Sequence, residues 1–317
     1  MKAVWAIGRL RTDAEREQAV DFVADLGCNM LITNSATPEM VARAHKRDIQ
    51  IIATVFPYSD DDFENTYPHC LQKMREFEHK VSDIIAGQSW LRLHGESYRW
   101  QSFVLPRTVL CFEHPESRAE LKKRVEHALD IADGIALDGF GFANYYTCFC
   151  DHCETLRKEA RAQNPDLSNI EIMEKISTQT LIDVHRLLYD HAKSIDPNAI
   201  VTNHVWPHFL PDEYIGAKYK LDYCTQTISW FYPPEWRLER VEMEAAQMKR
   251  LENPEINRFV PFIGIHDLPG FVRTPKRLVK EIEIALKYGS GNLVISRLST
   301  LQKYPGLARA VRDALKE

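Results

Sequence analysis

No stretch of the 317-residue chain approaches the roughly 20 apolar residues needed to cross a bilayer as a helix, so a membrane-spanning helix is not expected. Positive charge is not in excess. The 40 Lys and Arg against 45 Asp and Glu leave a net charge of −5, which argues against nucleic acid or an anionic membrane as the main partner. No Gly-rich fingerprint follows any apolar run, which removes the usual reason to prefer a nucleotide-binding sheet. Repeats and low-complexity tracts are missing too. The apolar start, Met1 to Ile7, is far too short for a secretory signal, and Asp13, Glu15 and Glu17 follow at once, so it reads as a first strand. The 7 cysteines show no paired framework and suit a reducing interior, making a cytoplasmic location the expectation.

What is present is an alternation. Apolar runs at 2–8, 30–33, 49–56, 134–137, 199–202, 221–227, 258–265 and 292–296 alternate with helical patterns. The helices carry start signals such as the capping box Thr12-Asp13-Ala14-Glu15 and Pro38 and Pro275 at first helical positions. A helix is expected over 67–86. The segment 88–112, rich in Trp, Arg and His, reads as an insertion after the third strand. This pattern predicts an α/β chain folded as one (β/α)8 TIM barrel over residues 1–317, with a doubly wound sheet as the alternative.

Two chemical signals lie within 131–153. Gly134 to Leu137 delivers Asp138 to a Gly-Phe-Gly-Phe turn, where a carboxylate faces a cleft. Cys148, Cys150 and Cys153 then form C-x-C-x-x-C, and Cys111, ahead of the helix leading back to Asp138, offers a fourth thiolate. His152 is the alternative fourth ligand. Four such ligands make 111–153 a zinc-binding loop region holding a structural Zn2+, with an iron–sulfur site as the other reading. Buried or disulfide-bonded cysteines are the plainer account, although residues this close rarely bridge and three leave an odd thiol. The radical-enzyme spacing C-x-x-x-C-x-x-C is absent.

In barrels the chemistry sits at the carboxyl ends of the strands. Those ends present Trp5 and Arg9, Asn34, Tyr58, Asp138, Asn203 and His204, Gln226 and Trp230, His266 and Asp267, and Arg297. Planar donors and acceptors beside aromatic faces suit a polyhydroxylated ligand, although any one Trp or His there is more often packing. Asp267 also begins Asp-Leu-Pro-Gly, itself a turn sequence.

The run Asp133-Gly134-Ile135-Ala136-Leu137-Asp138, with the helix opened by Cys111-Phe112-Glu113-His114-Pro115-Glu116, resembles glycosyl-hydrolase-like barrels with an Asp-Gly-Ile-x-Leu-Asp fourth strand. The four cysteines resemble the zinc site of the family forty-two β-galactosidases. The likeness covers about 105–155 and elsewhere only the barrel alternation. It departs at the catalytic residues: no Asn-Glu pair occurs in the chain, and the seventh strand ends in His266-Asp267. An aspartate ending strand four is instead similar to the nucleophile of the retaining α-galactosidase-type barrels.

These resemblances imply a glycoside hydrolase acting through two carboxylates. Asp138 would attack or stabilise the anomeric carbon, and Asp267 would protonate the leaving oxygen, with Glu235 and Glu96 in reserve. A non-catalytic carbohydrate-binding barrel is the alternative. A cleft metal held by His204, His266 and His94 is disfavoured, since strand one has no His-x-His. The expected partner is a carbohydrate, and the cysteine loop is a candidate subunit contact for a homo-oligomer.

Overall fold

The computed structural model describes residues 1–74, 108–143, 147–206, 212, 214–230, 235–265, 267 and 272–316. Eight parallel strands close into a barrel in chain order: β1 (Lys2–Ala6), β2 (Met30–Thr33), β3 (Gln50–Val55), β4 (Gly134–Asp138), β5 (Ile200–His204), β6 (Tyr223–Ser229), β7 (Arg258–Gly264) and β8 (Leu293–Ser296). Closure runs from Lys2 against Leu293 to Trp5 against Ser296. The expected (β/α)8 barrel is therefore the observed fold.

The described helices are α1 (Asp13–Asp25), α2 (Pro38–His45), α3 (Asp61–Thr66), α4 (Pro115–Leu129), α5 (Asp151–Gln163), α6 (Asn169–Ile195), α7 (Leu238–Leu251), α8 (Pro275–Tyr288), α9 (Leu298–Lys303) and α10 (Pro305–Lys316). Their starts follow the sequence signals. Thr12 and Ser168 form full capping boxes, and Thr37 and Thr274 cap helices whose first residue is proline. Each such cap contributes about 1 kcal/mol by satisfying amides that the helix itself cannot.

Strands such as Met30–Thr33 and Gly134–Asp138 are buried along their whole length because helices cover one face and the barrel interior the other. At the amino-terminal face, Asp133 and Asp222 accept the amides of Ile51 and Val201, each at 2.8 Å. Strand alternation splits the residues following each buried run into an inward and an outward set, and this split decides which strand-end side chains share a pocket.

The helix expected over 67–86 is not formed in its described part. Pro68–Cys70 is a single 3-10 turn, and Leu71 pairs with Leu110 in an antiparallel bridge. The run Leu71-Gln72-Lys73 instead lies beside the segment entering α4: the Gln72 amide donates to the Val109 carbonyl and the Cys111 amide to the Cys70 carbonyl. Of the expected insertion, 88–107 lies outside the described residues. Residues 109 and 110 bridge to Tyr58 and Leu71.

Candidate functional site

Asp138 ends β4 and is 9% exposed. The chain turns immediately at Gly139, where φ is +75° and a Cβ would stand 2.7 Å from the Tyr58 hydroxyl. Only glycine meets both constraints. The turn thus carries Asp138 to the rim while Tyr58, stacked on Phe56 with ring centroids 5.4 Å apart, closes over it.

Two N–H groups converge on Asp138 Oδ1: His204 Nδ1 and Trp206 Nε1, each at 3.2 Å. On the far side of the ring, His204 Nε2 lies 3.0 Å from Thr227 Oγ1. A carboxylate oxygen accepts, so Nδ1 donates to Asp138, while Nε2 and the Thr227 hydroxyl share a second hydrogen bond. Carboxylate, imidazole and hydroxyl therefore form one line across β4, β5 and β6. Below it, His204 stacks on Phe262 at 3.9 Å between centroids, and Trp5 meets both rings at 5.4 and 6.0 Å. Trp206 and Trp230 stand 6.1 Å apart.

Asp138, His204, Trp5, Tyr58 and Trp230 are thus brought to one end of the barrel, Trp5 as its buried floor. Asn203 and Gln226 point the other way. Each lies one residue from an inward side chain, so alternation places it on the outer face. Asn203 Oδ1 accepts the Thr225 amide at 3.0 Å, and Gln226 packs on the 3-10 turn Ile215–Lys218 beside Gly216. Arg9 and Asn34 are exposed, the latter accepting from Ser35 Oγ. Arg297 donates to Ser299 Oγ at 2.8 Å. His266 lies outside the described residues, as do Glu96 and His94.

The two described candidates for the acid are held in ion pairs. Asp267 binds Lys303 and accepts from the Tyr304 hydroxyl at 2.7 Å. The Lys303 hydrogen bond, then that of Tyr304, holds its carboxyl below the usual range. This is the environment of an ionised carboxylate, whereas a proton donor needs a carboxyl held neutral. Glu235 binds Arg273 at 2.7 Å. That buried guanidinium also donates to the carbonyls of Trp230 and Gly264 and faces Glu281, itself fully buried.

The cysteine expectation converges in space. The sulfurs of Cys111, Cys148, Cys150 and Cys153 lie within 4.8 Å of one another, all buried and none disulfide-bonded. Cys111 Sγ is 3.7 Å from Cys150 Sγ and 3.5 Å from Cys153 Sγ. Ligands about 2.3 Å from a tetrahedral ion stand about 3.8 Å apart, so the set fits a single metal ion. Sulfurs this close suit one ion better than a multi-iron cluster, whose thiolates sit on separate irons. Thiol hydrogen bonds from Cys111, Cys148 and Cys153 hold Cys150 toward the thiolate, while Cys111 is pushed up by donating to Cys148. His152, the alternative fourth ligand, is exposed and stands against His114 instead.

Sequence reasoning missed Trp206, Thr227, Arg273 and Glu281. Trp206 and Thr227 carried a usable signal, since they share strand parity with His204 and Thr225. Arg273 and Glu281 carried none, because the partners that tie them to the barrel, Ser229, Trp230 and Glu235, are remote in the chain.

No family model and no curated protein sequence matches the chain. Solved structures share its fold. The glycoside hydrolase domain of PgaB (BpsB) from Bordetella bronchiseptica superposes with a TM-score of 0.66 at 14% identity, over 99% of this chain and 98% of that one. The β-galactosidase of the Antarctic haloarchaeon Halorubrum lacusprofundi gives 0.67 at 12%, over 99% and 58%. A GH42 β-galactosidase from G. stearothermophilus gives 0.62 at 9%, over 99% and 57%. The chain spans just over half the length of these two β-galactosidases. Among the described residues, no helix is long and apolar enough to cross a membrane.

Proposed function

We propose that the chain is a glycoside hydrolase whose Asp138 is the carboxylate at the anomeric centre. One observation carries this reading: Asp138 stands at the carboxyl end of β4 with both of its donors, His204 and Trp206, on Oδ1. Its other oxygen accepts no hydrogen bond among the described residues. A carboxylate held in a fixed direction suits an oxocarbenium-like centre, and solved structures that share the fold are glycoside hydrolases. Asp267, Glu235 and Glu96 remain the candidates for the acid role, and the two described ones are each paired with a cation. His204 and Thr227 act as positioning residues, fixing the direction of the carboxylate.

In this reading the four cysteines hold Zn2+ as a structural ion. They tie the loop after β4 to the segment entering α4, and so anchor both neighbours of the Asp138 turn. The protein is cytoplasmic in this reading, and its metal does no chemistry.

A second reading has a specific observation behind it. Both Asp267 and Glu235 are engaged by cations, which favours a barrel that binds carbohydrate without cleaving it. Screening wild type, Asp138→Asn and Glu235→Gln against aryl glycosides and polysaccharides separates the two. Hydrolysis lost on Asp138→Asn with the fold intact supports the enzyme. Saccharide binding without turnover supports the binding barrel, and hydrolysis unchanged in Asp138→Asn removes Asp138 from the mechanism.

A further inference from the structure

Beside the four cysteines lies a second convergence of metal-type donors that the reading above does not use. His69 and Cys70 sit on the 3-10 turn Pro68–Cys70, while His114 and Glu116 flank Pro115 at the start of α4. One donor atom from each of the four lies within 4.8 Å of the others. Cys70 is fully buried, and its carbonyl is held by the Cys111 amide at 2.7 Å and the Ser117 hydroxyl at 3.0 Å. The thiol is thereby fixed toward Glu116, whose Oε2 it reaches at 3.5 Å. Two imidazoles close the other side, the His69 and His114 rings lying edge to face at 5.6 Å.

We propose that His69, Cys70, His114 and Glu116 form a second site for a divalent transition metal, filled by zinc. Two nitrogens, one sulfur and one carboxylate oxygen are borderline ligands that suit this ion, and four of them complete a tetrahedron. Binding forms the metal–sulfur bond and releases the thiol proton, now shared between Cys70 and Glu116, to solvent. The thiolate and carboxylate together cancel the charge of the dication, so the helix N-terminus above it is no obstacle. The donors must close by roughly an ångström to reach zinc bond lengths, and His69 is exposed and free of the core on one side. That exposure makes this site exchangeable, unlike the buried cysteine set. His114 links the two, its Nε2 standing 3.7 Å from Cys150 Sγ. The outer ion would clamp the turn at 68–70 to the start of α4.

The test is zinc stoichiometry by elemental analysis on the full chain, loaded with excess ZnCl2 and then desalted. Two equivalents are expected for wild type, and one for the His69→Ala/Glu116→Gln double variant, whose changes touch none of the four clustered cysteines. Dilute EDTA should withdraw one equivalent from wild type well before the other. Two equivalents in both proteins, or one in both, would overturn the proposal. A single wild-type equivalent that vanishes in the double variant would support this site and instead sink the four-cysteine reading.

Discussion

At the scale of single residues, the pocket depends on one line of hydrogen bonds from Thr227 through His204 to Asp138. Thr227 touches no reacting atom; it holds the His204 ring in place. Removing it as Thr227→Val should lower kcat about five- to tenfold, the worth of about 1 kcal/mol of hydrogen bonding, with KM little changed. The pH profile of kcat should move with it, and Thr227→Ser should restore both. A profile that stays put while kcat falls would point to a packing role alone. His185 behaves differently. It is buried in α6 against Tyr219, rings parallel at 3.6 Å, and burial pulls its pKa down to about 4. The unfolded chain takes up a proton near pH 6.5 while the native state stays neutral, so native stability should fall as pH drops from about 6.5 to about 4. The loss is on the order of 3 kcal/mol, and urea midpoints should show it. His185→Gln should flatten the dependence; an equally steep fall in that variant would assign it elsewhere.

At the scale of elements, the carboxyl ends of β6 and β7 are joined by the buried pair Arg273 and Glu281, 3.3 Å apart, with Arg277 and Ser229 on the same Glu281 oxygen at 2.9 and 2.8 Å. Deleting Glu281 takes the carboxylate from Arg277 and leaves Arg273 with Glu235 alone, so Glu281→Ala should destabilise by roughly 3 kcal/mol, the low end for a broken buried pair. Denaturant unfolding checks this, and a loss under about 1 kcal/mol would show that the pair is dispensable. On the proposed structural ion, the loop after β4 depends on its cysteines in the same way. Removing the metal with a strong chelator should lower the melting temperature, and Cys148→Ser should lower it similarly while losing its response to the chelator; an unchanged melt after verified metal loss would contradict a structural ion. The sequence showed these elements unevenly. Helix starts and β4 were legible because caps, prolines and apolar runs act locally. The supposed helix over 67–86 was not, since Leu71 answers to Leu110, which is distant in the chain. Likewise nearness to a strand end suggests Asn203 and Gln226 as pocket residues, whereas strand parity with His204 and Thr227 turns them outward. The pairing of Asp267 with Lys303 is not legible in the sequence, because only the fold brings them near.

At the scale of the molecule, barrel closure brings β4, β5 and β6 side by side and lifts their last inward residues into one rim. No shorter segment could assemble Asp138, His204 and Thr227, which lie 66 and 23 residues apart in the chain. The cysteine-bearing segments flank the Asp138 strand in the chain, so on the proposed function metal removal and loss of turnover should go together. The central claim is that this rim presents Asp138 to the anomeric carbon of a sugar. Its most direct measurement is turnover and calorimetric affinity for one saccharide on wild type and Asp138→Asn side by side. The account predicts a fall in kcat of roughly 10²- to 10⁴-fold with affinity held within a few-fold. Equal turnover by the two proteins, with the saccharide bound equally well, would contradict it.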